Sequence, residues 1–158
     1  VDRVKDVVTK QVSTADYVRA GKEIGGLQYG LQSRTARYQD GSGMLNSLEL
    51  TVGKNLAGGI TPFVGVGYDN GLNGANGKAY EYGLVGASYG IQAGPGSALL
   101  SAKTRMFSSE GGTRTKQTLA QATYSVPVAK NVSVNFNAKK SFQDIKENEI
   151  GLGLALSF

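Results

Sequence analysis

The chain has 158 residues and a net charge of +5, with 23 glycines, three prolines and no cysteine, histidine or tryptophan. Its length fits one domain, and the missing cysteine and histidine exclude a disulfide framework, a thiolate zinc site, a Ser-His-Asp triad and an imidazole-bound metal. No window approaches the run of apolar residues that a transmembrane helix needs, and the glycine excess has no collagen period.

The opening Val1-Asp-Arg-Val-Lys5 has no apolar core and no small-residue cleavage site. It reads as the start of a cytosolic product or of a mature or trimmed form. Residues 1–22 form an N-terminal segment apart. Val1, Val4, Val8 and Val12 recur at helical spacing, with Val7 close by, among Asp2, Arg3, Asp6 and Lys10. This predicts either a short amphipathic helix or a flexible lead-in.

From residue 23 the period changes to two, the mark of a strand with one apolar face. Residues 23–37 set Leu27, Tyr29 and Leu31 against Gln28, Gly30, Gln32 and Arg34. In 44–54, Leu48, Leu50 and Val52 oppose Ser47, Glu49 and Thr51. In 60–68, Ile60, Val64, Val66 and Tyr68 oppose Thr61, Gly65 and Gly67, with Phe63 breaking the rule. Residues 79–91 are apolar on both faces. A phase slip near Gly83 or Gly86 would put Tyr80 and Tyr82 on one face with Tyr89 and Ile91.

In 97–108, Leu100, Ala102 and Met106 oppose Ser101, Lys103 and Arg105. In 115–126, Ala120, Ala122 and Tyr124 oppose Gln117, Gln121 and Thr123. In 131–142, Val132, Val134, Phe136 and Phe142 oppose Asn135, Asn137 and Lys139. The last strand alternates Ile150, Leu152, Leu154, Leu156 and Phe158 with Glu149, Gly151, Gly153 and Ala155. Links at 54–59, 94–96 and 127–131 are tight, and those at 38–43, 69–78, 108–114 and 144–148 are longer. The expected fold is all-β: an eight-stranded antiparallel up-and-down barrel over 23–158.

Two barrels share this periodicity. A lipocalin-like barrel keeps its apolar face inside around a ligand cavity, and a transmembrane barrel turns it toward lipid. The polar face here is crowded with Gly30, Ser47, Thr51, Gly65, Gly67, Gly151 and Gly153. Glycine weakens a water-facing strand, whereas small side chains let a narrow lumen close. The mid-strand charges Arg34, Glu49, Lys103, Arg105, Lys139 and Glu149 also fall on that face, and the phase slip leaves Glu81 undecided. Both patterns predict a lipid-facing apolar surface around a salt-bridged lumen. Tyr29, Tyr68, Tyr80, Tyr82, Tyr89, Tyr124, Phe136 and Phe142 would then be interfacial aromatics.

The final residues, Glu149-Ile-Gly-Leu-Gly-Leu-Ala-Leu-Ser-Phe158, resemble the C-terminal assembly signature of bacterial outer-membrane β-barrels, carried by Ile150, Leu152, Leu154, Leu156 and Phe158. Over 23–158 the chain resembles the small eight-stranded class of OmpA-barrel and OmpX-like proteins. The resemblance implies an integral protein of the Gram-negative outer membrane with periplasmic termini and tight turns. Its partners would be the lipid bilayer, lipopolysaccharide and the outer-membrane assembly machinery. The outer loops are short, a departure from adhesin and receptor members.

No Gly-x-Ser-x-Gly elbow or paired-carboxylate cluster points to an enzyme. Asp69-Asn70-Gly71 with Asn73-Gly74 reads as turn chemistry rather than a calcium loop. Lys78, Arg114 and Lys116 form a basic rim, and nothing indicates nucleic-acid binding, a metal or a cofactor. The expected role is a monomeric structural or surface-interaction barrel without catalysis. The alternatives are a narrow porin-like channel and a C-terminal membrane anchor of a longer surface or periplasmic protein.

Overall fold

A computed structural model describes residues 2–6, 12–38, 44–69, 80–107, 115–143 and 147–156. They form ten strands: β1 (Asp2–Asp6), β2 (Val12–Ile24), β3 (Leu27–Tyr38), β4 (Met44–Gly53), β5 (Ile60–Asp69), β6 (Tyr80–Ala93), β7 (Gly96–Phe107), β8 (Thr115–Ala129), β9 (Val132–Gln143) and β10 (Glu147–Leu156). Each pairs antiparallel with its sequence neighbour, so nine long strands make one up-and-down curled sheet. The five-residue β1 bridges its edges by pairing with both β2 and β10. No helix occurs among the described residues.

The eight expected strands correspond to β3–β10, but the count of eight is too low. Residues 1–22, expected to be helical or flexible, contribute β1 and most of β2. A spacing of four residues returns to the same face in a strand as well as in a helix, so the valine pattern did not discriminate. β-Branching was the better signal. Gly25 and Gly26 carried a second one. With φ of 60° and 78°, they make the two-residue turn that twists with the flanking strands and pairs Ile24 with Leu27. Val7 and Val8 lie outside the described residues.

The short turns at 25–26, 54–59, 94–95 and 130–131 fall at one end of the sheet. The connections at the opposite end lie outside the described residues. At the 94–95 turn, Tyr124 lies over Gly96 and its hydroxyl donates to the carbonyl of Ala93 at 2.8 Å. A Cβ on Gly96 would come within 3.0 Å of the Tyr124 ring, so the glycine makes the seat that the ring covers. Tyr124→Phe is expected to cost about 1 kcal/mol in denaturant unfolding, the value of one net hydrogen bond, with the fold retained.

The expected phase slip is absent. β6 pairs without a register break to β5 and to β7, and the irregularity found lies in β8 between Pro127 and Ala129. Regular alternation therefore turns Tyr82 and Leu84 inward and Tyr89 and Ile91 outward. Residues 79–91 read as apolar on both faces because the interior itself holds an apolar cluster. Tyr82, Leu84 and Phe107 are buried there, with Phe63 against them. That also explains Phe63, the exception in its strand. Tyr82 and Phe107 have ring centroids 4.9 Å apart at 54°, a tilted geometry that aromatic quadrupoles favour.

Elsewhere the sheet is inverted relative to a water-soluble fold. Val66 (62%), Leu154 (75%) and Ile150 (77%) are exposed on the outer surface, while Glu49 (5%), Arg105 (8%) and Glu149 (5%) are buried inside.

Candidate functional site: the charged interior

Four strands build the centre of the lumen. The pairings place Glu49 of β4, Gly67 of β5, Tyr82 of β6 and Phe107 of β7 in one row across the sheet. All four have inward parity. Because Gly67 has no side chain, the Tyr82 ring leans across it, and its hydroxyl donates to Glu49 Oε2 at 3.1 Å. Arg105 reaches the same oxygen from β7 through Nη2 at 2.8 Å and Nε at 3.2 Å. Lys103 Nζ binds the other oxygen, Oε1, at 2.5 Å.

Glu49 thus sits between two cations and a phenol, with each carboxylate oxygen occupied. Arg105 also donates to Gln117 Oε1 at 3.3 Å, and its guanidinium stands 5.0 Å from the Tyr82 ring centre. Gln117 and Leu119, both 2% exposed, fill the β8 side. Charge in this setting is tolerated because it is paired and hydrogen-bonded at close range; losing one partner would strand the rest.

A second pair joins Lys139 of β9 to Glu149 of β10, neighbours in the ladder. Beside it Thr123 donates to Asn137 Oδ1 at 2.8 Å. A second row repeats the device at Gly67. Phe63, Gly86 and Lys103 lie side by side on β5, β6 and β7, and a Cβ at Gly86 would meet the Phe63 ring at 2.6 Å. In these two rows a glycine of β5 or β6 lies between two large inward side chains, which lets a narrow lumen fill there without clashes.

Of the residues expected in the lumen network, Glu49, Lys103 and Arg105 come together in one cluster, and Lys139 and Glu149 in another. Arg34 is buried on β3 opposite Ser47. Glu81, undecided in the sequence, is exposed and opposite Tyr68 on the outer face. Tyr82, assigned to the outer aromatics, is instead a ligand of Glu49. Gln117, Asn137 and Ser141 were missed as buried members, although their inward parity was readable. Asp69, read as turn chemistry, is buried at the end of β5.

Tyr29, Tyr68, Tyr89, Phe136 and Phe142 are exposed on the outer face, and Tyr124 is half-buried over its turn. The side chain of Tyr80 lies outside the described residues. Tyr29, Tyr89 and Tyr124 stand toward the short-turn end, and Tyr68 and Phe142 toward the other. Lys140 holds its ammonium 5.5 Å from the Phe142 ring centre. Of the terminal signature, Ile150, Leu152, Leu154 and Leu156 all point outward and are exposed, and Phe158 lies outside the described residues, as do Lys78 and Arg114. Lys116 is exposed.

The interior is not filled to its full height. Leu99 has inward parity near the short-turn end yet is 47% exposed, and a Cβ on Gly153 would meet nothing within 4 Å. The ionic cluster and the aromatic cluster occupy the middle, and the short-turn end forms a more open vestibule.

No family model, curated protein or solved structure matches this chain, so its geometry carries the functional argument alone.

Proposed function

We propose that the protein is an integral β-barrel of the bacterial outer membrane, with a plugged lumen and a structural or surface-interaction role without catalysis. One observation carries the reading: large apolar side chains cover the outside while paired charges are buried within. A soluble monomer rarely leaves an apolar surface of that extent in water. Facing lipid, the same surface is in its preferred medium, and the charges are on the side where a bilayer does not penalise them. A Lys or Arg on the lipid face at mid-depth would cost about 2–4 kcal/mol.

The two tiers of outward aromatics support the same reading, since Tyr and Phe concentrate at the two membrane interfaces. The terminal alternation of Ile150, Leu152, Leu154 and Leu156 suits a segment read by the outer-membrane assembly machinery, and exposed Lys116 suits contact with lipopolysaccharide phosphates. In this reading the short turns and termini face the periplasm. Protein folded in detergent is expected to show heat-modifiable gel mobility. A chain that stays monomeric in water and never enters micelles would overturn the proposal.

The open vestibule favours one further reading, a narrow channel closed at the Glu49 cluster. Planar-bilayer recording separates the two. Discrete conductance steps that change in Lys103→Ala or Glu49→Ala identify a channel, and a silent bilayer identifies a plug.

A further inference from the structure

Gly83 of β6 faces outward, between Val66 of β5 and Met106 of β7. A Cβ on Gly67 or Gly86 would strike an inward ring, and one on Gly96 would press on Tyr124. A Cβ on Gly83 would meet nothing within 4 Å among the described residues. Its φ is not positive either, so neither the backbone nor a packed ring accounts for a glycine here. What the missing side chain makes is a groove in the outer wall.

Leu50 and Val66 wall this groove on one side and Met106 on the other, all exposed and in one row of the sheet with Gly83. Its volume is about 560 Å³, inside the range of roughly 300–1,000 Å³ for sites that take small organic ligands. One end is polar. Tyr68 and Glu81, opposite each other in the β5–β6 ladder, line it and are exposed, one residue from the strand ends away from the short turns. Exposed Lys116 of β8 follows Met106 in the row. Gly83 lies two residues further along β6 than Glu81, about 7 Å deeper on the wall.

We infer that the groove seats one phospholipid whose headgroup carries a primary ammonium, with its tail over Gly83 and its ammonium on Glu81. This rests on the membrane reading of the barrel. In that setting Glu81 and Tyr68 stand at headgroup depth, where an outward acid costs little, and Gly83 stands at the depth of acyl chains.

Charge selects the occupant. A purely anionic headgroup would be repelled by the Glu81 carboxylate, whereas a zwitterion offers its ammonium to Glu81 and its phosphate to Lys116. A primary ammonium also donates N–H bonds to the carboxylate, which a quaternary one has no hydrogens to do. The tail takes the space between Val66 and Met106 that a side chain at Gly83 would fill, and its contacts there are dispersion contacts.

The test is native mass spectrometry of protein folded in detergent micelles. The micelles carry equal amounts of phosphatidylethanolamine, phosphatidylcholine and phosphatidylglycerol with matched chains. One phosphatidylethanolamine is expected to stay bound, favoured over each of the others by roughly fivefold, the upper end for an exposed ion pair. Glu81→Gln is expected to bring phosphatidylethanolamine and phosphatidylcholine to parity with one lipid still held. Gly83→Leu, which fills the groove, is expected to lose the bound lipid. Heat-modifiable mobility shows that each variant is folded, and if Gly83→Leu does not fold, the lipid ratio in Glu81→Gln decides alone. Equal retention of the three lipids, a preference for either of the others, a lipid still held by folded Gly83→Leu, or a dimer in place of the lipid adduct overturns the inference and leaves the barrel standing. A chain that never enters micelles overturns both.

Discussion

Glu49→Ala is expected to destabilise the folded protein by about 3–5 kcal/mol, read as a lower urea midpoint at unchanged slope. The cost arises because Lys103 and Arg105 would be left buried without the carboxylate that both of them bind. Tyr82 would lose its acceptor as well. Glu49→Gln keeps the shape and removes the charge, so it should fall between wild type and alanine. A rescue is expected too. Replacing Glu49, Lys103 and Arg105 together with apolar residues of similar volume should recover most of the loss, since an apolar cluster can equal a buried ionic one. If the single and triple variants prove equally unstable, the ionic pairing is not what holds the centre together.

Gly67→Val is expected to be comparably damaging, by about 2–4 kcal/mol, for a steric reason. A Cβ at this position would lie 2.4 Å from Tyr82 Cζ, 2.5 Å from its hydroxyl and 2.8 Å from the Leu48 carbonyl. The ring must then leave Glu49 or the strands must part. Combining Gly67→Val with Tyr82→Val should cost less than the sum of the two single changes, because the second opens the space that the first requires. Additive losses in that double-mutant cycle would show that the ring and the glycine are not coupled.

Much of the fold was legible in the sequence because parity is a strong signal wherever one face meets lipid or solvent and the other a lumen. β3–β10 and the inward direction of Glu49, Lys103, Arg105, Lys139 and Glu149 followed from it. Partners did not follow. Parity places a side chain on a face, and the stagger between strands decides that Glu49 meets Lys103 and Arg105 while Glu149 meets Lys139. Tyr82 was misread because an aromatic in a two-sided apolar stretch fits an outer girdle as well as an inner core, and only unbroken register separates the two. β1 and β2 were missed because spacing by four is ambiguous between helix and strand. Gly25-Gly26 marked the hairpin more plainly.

In the proposed barrel the apolar face meets lipid and the charged face lines a lumen. The chain has no tryptophan, so a single introduced one is a clean probe in vesicles of brominated lipid. Val66→Trp and Leu152→Trp, both on exposed outward positions, are expected to be strongly quenched by bromine on the acyl chains, while Ser133→Trp, of inward parity beside the vestibule, stays bright. Quenching of Ser133→Trp with bright outward probes, or no quenching at any of the three positions, would contradict this arrangement.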